Sequence, residues 1–122
     1  MKNVLHIITS PRKELSASRK LGNAVIEKIQ EKYSGAFIKE RDLTENAVPI
    51  LEEKHINAFF TPLENHSSEQ AEIDSYSKTL ISELQEADII VLDSPMYNFS
   101  VPASLRAYFD FTSRAGYTFS YD

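Results

Sequence analysis

Residues 88–116 read DIIVLDSPMYNFSVPASLRAYFDFTSRAG, and this stretch indicates the fold class. It begins with an unbroken apolar run at residues 89–92, which is short and rich in β-branched side chains. Such a run predicts a strand buried on both faces, as in a parallel sheet covered by helices. A loop follows at residues 93–99. A helix is predicted next, with Pro102 in its first turn and Gly116 as its C-terminal stop.

Two further segments, residues 4–9 and 36–43, also predict strands. The first is the run VLHIIT, in which His6 is expected either to face a helix or to pack in the sheet. The second carries charged residues at its centre, a composition that suits a strand at an exposed sheet edge. These charged residues are Lys39, Glu40 and Arg41.

Three amphipathic helices are predicted. The first is capped by either Ser16 or Ser18 and closed by Gly35, and the second spans residues 68–87, with Glu83 on its solvated face. The apolar positions of the first helix are Leu21, Val25 and Ile29; those of the second are Ile73, Tyr76, Leu80, Ile81 and Leu84. The third helix, after residue 100, has Leu105, Tyr108, Phe109 and Thr112 on one side.

The connection at residues 44–68 is long for a small domain, and it contains a possible short helix at residues 52–60. Connections of this length are usually functional or part of an interface. It is more apolar than a solvated loop requires, through Ile50, Leu51, Phe59 and Phe60. Either a partner or ligand covers these side chains, or the domain's own core does. The sequence leaves both alternatives open.

The predicted order of elements is β-α-β-connection-α-β-α. With right-handed crossovers this order gives an α/β fold, a parallel sheet with helices on both faces and strand order 2-1-3. A chain of 122 residues is sufficient for one small domain. Three strands make a small parallel sheet, so we expect residues 1–122 to be the front portion of a longer single domain that lacks its C-terminal βα units.

Composition excludes several classes of site. Cysteine is absent, which excludes disulfides and thiolate chemistry and fits a reducing compartment. The net charge of −5 argues against a nucleic-acid partner. No apolar run is long enough to span a membrane and no signal peptide is evident, so a cytoplasmic protein is expected. The three histidines have no metal-ligand spacing, and no metal site is predicted.

The loop at residues 10–18 is the first candidate site. It lies between the end of a strand and the start of a helix, where unpaired N–H groups and the helix dipole favour an anion. Hydroxyls of Ser10, Ser16 and Ser18 could donate further hydrogen bonds to phosphate oxygens. The alternative is that Ser16 or Ser18 merely caps the helix. No dinucleotide fingerprint or P-loop is present.

The loop at residues 95–99 is the second candidate site. Tyr97 and Phe99 could flank a flat ring, and Asn98 could hydrogen-bond its polar rim. The alternative is that these aromatic side chains pack onto the following helix. In the sheet order 2-1-3 the two loops leave adjacent strands at the carboxyl edge, which is where open α/β sheets bind ligands. Together they predict a site for a mononucleotide.

The sequence resembles the FMN-dependent NADH-azoreductases, which are also quinone reductases of the flavodoxin-like superfamily. The matching features are Ser10, Ser16-Ala17-Ser18, Arg41-Asp42-Leu43, Pro95-Met96-Tyr97-Asn98-Phe99, Tyr108-Phe109-Asp110, Arg114-Ala115-Gly116 and Thr118-Phe119. The resemblance implies a flavodoxin-like three-layer α/β/α fold. In that family two more βα units follow, with a third flavin loop that has no counterpart here.

The resemblance also implies a set of flavin contacts. They are Ser10, Ser16, Ala17 and Ser18 at the phosphate and Met96, Tyr97, Asn98 and Phe99 at the isoalloxazine. Tyr97 and Phe99 would in addition shape the substrate face. No side chain is assigned as a catalytic acid or base, because the flavin N5 carries the hydride.

The implied activity is two-electron, ping-pong hydride transfer from NADH or NADPH through FMN to quinones and azo compounds, in a homodimer. Two alternatives remain. One is a flavodoxin-type electron carrier, although such carriers use a glycine-rich phosphate loop and residues 10–18 contain no glycine. The other is a half-domain that binds flavin weakly or not at all and acts as an interaction module.

Overall fold

The computed structural model describes residues 1–121, so Asp122, the last residue of the predicted domain, lies outside the described part. The strands are β1 (Asn3–Ile8), β2 (Phe37–Asp42) and β3 (Ile89–Asp93). The helices are α1 (Ala17–Lys32), α2 (Glu53–Phe60), α3 (Ser68–Glu86) and α4 (Ala103–Thr112), with short 3-10 turns at Lys13–Leu15 and Leu63–Asn65. The predicted order of elements is confirmed. Within residues 1–121, no helix combines the length and apolar character needed to cross a membrane.

The three strands form one parallel sheet in the order β2-β1-β3. β1 is central, and its last residue Ile8 pairs with Asp42 of β2 and with Asp93 of β3. The three carboxyl ends are therefore level with one another. The α/β class and the strand order 2-1-3 predicted from the sequence are both confirmed. This register brings the loops after β1 and β3 to neighbouring positions at one edge.

The two faces of β1 are covered by different helices, because successive side chains of a strand point to opposite sides. Leu5 and Ile7 belong to the hydrophobic core, which also contains Leu43, Val48, Leu80, Leu105, Ala107, Tyr108 and Phe111. Burying each large apolar side chain contributes about 1.5–3 kcal/mol. On the other face, His6 lies beneath α1. Helices on both faces complete the three layers.

The prediction that β3 is buried on both faces is wrong. Ile90 and Leu92 are 49% and 43% exposed. They pair with Leu5 and Ile7 and share their face, but the described helices of that face cover β1 and leave the β3 edge open. The predicted apolar stripe of α1 is also uncovered at Leu21. The helix itself is present as predicted, and Ser16 is its cap.

The predicted ends of two helices are offset from the observed ones. α4 ends at Thr112 and Pro102 stands just outside it, whereas Gly116 occupies a later turn with φ +84°. Phe109, expected on the buried side, is partly exposed, and Phe111 occupies the core instead. α1 ends at Lys32, and Gly35 likewise supplies a positive φ in the turn that follows.

Glu83 lies in the interior and not on the solvated face predicted for it. Its carboxylate accepts a hydrogen bond of 2.9 Å from Arg41 Nε and lies 2.9 Å from Lys39 Nζ. Burial opposes its ionisation, but the hydrogen bonds from Arg41 and Lys39 outweigh burial, so the pKa of Glu83 lies below its ordinary value. These contacts join α3 to the edge strand β2.

Some apolar side chains of the long connection at residues 44–68 are covered by the domain's own core, and others are exposed, so each of the two alternatives left open by the sequence applies to part of it. Its predicted helix is α2, and Leu51 and Phe59 pack against the hydrophobic core. Phe59 also covers the guanidinium of Arg114, which lies 4.3 Å from its ring centre. Ile50 and Phe60, in contrast, are 81% and 83% exposed. The connection therefore contributes to the core and also presents apolar side chains at the surface.

Candidate functional site

The loop after β1 is organised by two buried serines. The hydroxyl of Ser10 accepts a hydrogen bond of 3.4 Å from the N–H of Arg12. The hydroxyl of Ser16 accepts one of 3.0 Å from the N–H of Arg19 and so caps α1, and it lies 3.0 Å from the hydroxyl of Ser18. Ser16 is therefore a capping residue, as one of the two alternatives predicted. Its contact with Ser18 brings a second hydroxyl to the same helix terminus.

Two N–H groups at this terminus remain available. The N–H groups of Ala17 and Ser18 have no acceptor within residues 1–121. Ala17 is exposed and Ser18 is half-buried, so both positions are accessible. A helix N-terminus carries a partial positive charge of roughly half an elementary charge. The arrangement is suited to a phosphate or another small anion.

The loop after β3 contains a tight turn. Tyr97 and Ser100 exchange two backbone hydrogen bonds, each of 3.0 Å. The two residues between them, Asn98 and Phe99, have φ values of +51° and +64°. Positive φ at both positions is typical of a type I′ turn. Asn tolerates this conformation, but for a bulky residue such as Phe99 it is strained by about 1–3 kcal/mol.

A cleft of about 480 Å³ crosses the carboxyl edge of the sheet. Its lining comes from the ends of all three strands: Thr9, Pro11, Leu43, Thr44, Tyr97, Asn98, Val101, Pro102, Ala103 and Ser104. Of the predicted flavin contacts, Tyr97 and Asn98 line this cleft. Met96, just before the turn, and Phe99, within it, are exposed, and the side chain of Phe99 is 94% exposed.

The predicted serines lie beside this cleft and do not line it. Ser10 and Ser16 are buried within the first loop. Ser18 lines a second cleft of about 190 Å³ between α1 and β3, together with Leu21, Gly22, Val25, Val91, Leu92, Asp93 and Ser94. The structure thus places the two candidate loops at adjacent strand ends but assigns them to two neighbouring clefts.

The end of β2 contributes a group to which the sequence analysis assigned no role. Asp42 accepts hydrogen bonds from the N–H and hydroxyl of Thr44, at 2.9 and 2.6 Å. Its Oδ2 also accepts a hydrogen bond of 3.3 Å from the guanidinium of Arg19 in α1. Burial alone would raise the pKa of Asp42. The hydrogen bonds from Thr44 and the charge of Arg19 lower it by more, so the pKa of Asp42 lies below its ordinary value. An ionised Asp42 therefore fixes Thr44 at the cleft wall.

A buried His–Asp contact beneath the two loops was also missed. His6 Nε2 lies 2.7 Å from Asp93 Oδ2, and both side chains are buried. Burial raises the pKa of Asp93, and the hydrogen bond with His6 only partly offsets this. The available signal was a polar residue inside the apolar run of β1, His6, and another at the end of the apolar run of β3, Asp93. Sequence separation concealed their pairing.

The parallel sheet, its order and the cleft across its carboxyl edge define an α/β protein of the open, doubly wound class. The model of a family described as having a flavodoxin-like fold matches residues 2–122. The chain belongs to this family. The expected flavodoxin-like architecture is thereby confirmed.

Particular relatives are similar over nearly the whole chain. An FMN-dependent NADH:quinone oxidoreductase of Paraburkholderia phymatum is 43% identical over 99% of this chain and 61% of its own length. One from a Marinomonas species is 40% identical with the same coverage. The crystal structure of an azoreductase from Bacillus anthracis str. Sterne matches with a TM-score of 0.90 and 29% identity, over 100% of this chain and 60% of its own. The resemblance to azoreductases and quinone reductases is thus confirmed. The chain spans about three fifths of the length of these relatives.

Proposed function

We propose that this chain is the FMN-binding part of an NAD(P)H-dependent oxidoreductase that reduces quinones and azo compounds. One observation carries the proposal. The accessible N–H groups of Ala17 and Ser18 and the cleft lined by Tyr97 and Asn98 lie at the carboxyl ends of adjacent strands. This is the relationship that a ligand with a phosphate at one end and a flat ring at the other requires.

The first loop fits the phosphate of FMN. Ala17 and Ser18 would donate their N–H groups, and the hydroxyl of Ser18 would donate a further hydrogen bond. Ser16 and Ser10 would act by holding the loop: Ser16 caps the helix, and Ser10 binds the N–H of Arg12. A site made of N–H groups and hydroxyls agrees with the negative net charge of the chain, because it needs no excess of basic side chains.

The second loop fits the isoalloxazine. A cleft of about 480 Å³ is within the range of roughly 300–1,000 Å³ usual for small-molecule sites. Tyr97 offers a flat apolar wall and Asn98 offers an amide to the polar rim of the ring. Met96 and Phe99 would lie at the outer edge. There Phe99, with Tyr97, would shape the face that the nicotinamide and the oxidant occupy in turn.

When bound, FMN supplies the redox chemistry, accepting a hydride from NADH or NADPH and returning two electrons to a quinone or azo compound in a ping-pong cycle. The residues of this chain position the ring and exclude water from it. The Asn98 amide would stabilise negative charge that develops on the ring on reduction. No side chain needs to act as a proton donor or acceptor in this scheme.

The relatives' names and the exposed apolar surface support proposals about context. We assign residues 1–122 to a single flavodoxin-like domain. We place a homodimer interface at the exposed apolar side chains of Ile50, Ile56, Phe60 and Leu63. The absence of cysteine fits a reducing compartment, so the proposed location is the cytoplasm.

The test begins with the visible spectrum and the activity of the purified protein. Flavin absorption bands, and NADH oxidation that depends on an added quinone or azo dye, are expected. Bound flavin without turnover would favour an electron carrier, and a colourless protein that does not bind added FMN would favour an interaction module.

Ser18→Ala tests the phosphate end of the site. The variant is expected to weaken the binding of FMN by up to about tenfold, because one hydrogen bond to a charged group is lost. The binding of riboflavin should weaken much less, because riboflavin carries no phosphate. Fluorescence titration with the two ligands measures this difference. Ser34→Ala, beyond the other end of α1, is the matched control. Equal weakening of both ligands would contradict the assignment of the loop to phosphate.

A further inference from the structure

The buried His6–Asp93 contact joins the strands that carry the two candidate loops. His6 pairs in register with Val91, and Ile8 pairs with Asp93. The side-chain contact of 2.7 Å therefore runs diagonally from the middle of β1 to the last residue of β3. His6 and Asp93 are only 1% and 3% exposed, so water does not compete for this hydrogen bond.

A second hydrogen bond holds the same residue through its main chain. The hydroxyl of Thr9 donates to the carbonyl oxygen of Asp93 at 2.7 Å, and Thr9 is also buried. Asp93 is thus fixed by its side chain to β1 and by its backbone to Thr9, the residue that follows β1. The loop at residues 94–99 starts at the next residue. Its point of departure is therefore set by His6 and Thr9.

Asp93 also contacts the helix that begins at the first loop. A Cβ atom added to Gly22 would lie 1.8 Å from Asp93 Oδ1. The glycine is therefore required for α1 to approach the strand as closely as it does. Asp93 lies where β1, β3 and α1 meet, and the first loop lies just before α1 along the chain. A shift of its carboxylate would change the spacing between the two loops.

Stability alone does not account for this pair. Asp93 Oδ1 is buried and has no hydrogen-bond partner within residues 1–121. A buried acceptor without a partner is destabilising. Well-packed apolar residues at the same place are often as stable as a buried charged pair or more so. A geometric role explains why such a contact lies directly beneath the candidate site.

We propose that His6 and Asp93 are a positioning pair for the candidate cofactor site, which fixes residues 94–99 relative to the N-terminus of α1. The pair touches neither ligand nor reacting atoms and acts only through the loop. This inference rests on the proposed function for its effect on FMN. Its effect on the loop itself does not depend on flavin.

The main test replaces the pair by apolar residues, in the double variant His6→Leu/Asp93→Ala. No unpaired buried charge is left, so the protein is expected to fold with undiminished stability. FMN is expected to bind about tenfold more weakly, the change that one lost hydrogen bond produces. His6→Gln is the conservative variant, because its amide can still donate to Asp93, and FMN affinity should recover to within about twofold of wild type.

Ser77→Ala is the matched control for general loss of stability. The buried Ser77 hydroxyl donates to the carbonyl of Phe111 at 2.6 Å, within the α3–α4 layer. This variant should lower stability and leave FMN affinity unchanged. Wild-type affinity in the double variant, or no recovery in His6→Gln, would overturn the positioning role.

Amide hydrogen exchange separates this inference from the proposed function. In the flavin-free protein the N–H groups of Tyr97 and Ser100 report the order of the turn that they close. The double variant should accelerate their exchange by about tenfold, and Ser77→Ala should not do so selectively. If wild type bound no FMN, the proposed function would fail while the exchange rates still decided the positioning role. Unchanged exchange would overturn it.

A variant of the hydrogen bond between Thr9 and the Asp93 carbonyl keeps the test decisive if the double variant does not fold. Thr9→Val removes the hydroxyl that binds the Asp93 carbonyl and preserves the shape of the side chain. It should accelerate exchange at Tyr97 and Ser100 in the same direction, by about two- to fivefold. The same exchange rates as in wild type would count against the inference.

Discussion

Among single residues, Gly22 is the one whose replacement has the clearest consequence. In an exposed helix position Ala is favoured over Gly by about 1 kcal/mol. Here the added Cβ would lie 1.8 Å from Asp93 Oδ1, so α1 or the carboxylate must move. Overpacking of this kind costs about 1–3 kcal/mol, and we expect Gly22→Ala to lower the free energy of unfolding by roughly 1–2 kcal/mol. Denaturant unfolding measures the change.

Two controls accompany this substitution. Asn23→Ala lies at the next position of α1 and is exposed, so it should be neutral or stabilising. Asp93→Ala removes the atoms with which the new Cβ collides, and in that background Gly22→Ala should cost much less. If Gly22→Ala stabilised the protein as an ordinary helix position would, the close approach of α1 to β3 would be refuted.

Glu83 gives a pH dependence at the residue scale. Its pKa is lowered in the folded protein, so its ionisation contributes stability at pH values above the pKa that it has in the unfolded chain. That contribution is lost as the pH falls through the lower, folded pKa. Glu83→Gln should therefore lose about 1–3 kcal/mol at neutral pH, and this difference from wild type should shrink in acid. Unfolding curves at several pH values measure the change, with exposed Glu72→Gln on the same helix as control. A difference that stayed constant into acid would contradict an ionised, paired Glu83.

Among elements, the turn after β3 separates backbone from side-chain roles. Asn98 adopts φ +51°, so Asn98→Ala would disturb the backbone as well as remove the amide. Asn98→Gly retains the turn and removes only the amide. We expect this variant to bind FMN up to about tenfold more weakly, with little change in unfolding, because it loses one polar contact at the ring. Fluorescence titration with FMN measures the effect. Undiminished affinity would mean that Asn98 serves the turn alone.

The elements also show what local sequence determines. Residues 68–87 have a helical periodicity, and residues 4–9 and 89–92 are short apolar runs rich in β-branched side chains, so each element is identified without reference to the rest of the chain. Which faces become buried depends on neighbours. Ile90 and Leu92 look like core residues in the sequence, but they are exposed where no described element covers the β3 edge. The sequence pattern places Glu83 on the solvated face of its helix, yet its carboxylate is buried and paired with Arg41 of β2. Such pairings depend on tertiary packing, which the local pattern does not encode.

The candidate site was predictable to a similar degree. Tyr97 and Asn98 reach the cleft because any loop after β3 must begin at the carboxyl edge. The choice between Ser16 and Ser18 as the cap depends on the detailed geometry of the first turn, and the sequence left it open. The contact between His6 and Asp93 joins residues 87 positions apart. Their pairing follows from the strand register and from the space that Gly22 leaves.

For the whole molecule, exposed apolar surface gives the last test. Phe60 is 83% exposed at the end of α2, where Ile56 and Leu63 are also exposed. If this surface forms the proposed homodimer interface, Phe60→Asp should weaken dimerisation by at least about tenfold, because a buried aromatic anchor becomes a charge. Its unfolding should change little, since the side chain makes few contacts within the subunit. Sedimentation equilibrium over a range of concentrations measures the association. Leu21→Asp places the same charge on exposed α1, on the other face of the sheet, and should leave the dimer intact. Dissociation by Leu21→Asp but not by Phe60→Asp would move the interface to the α1 face.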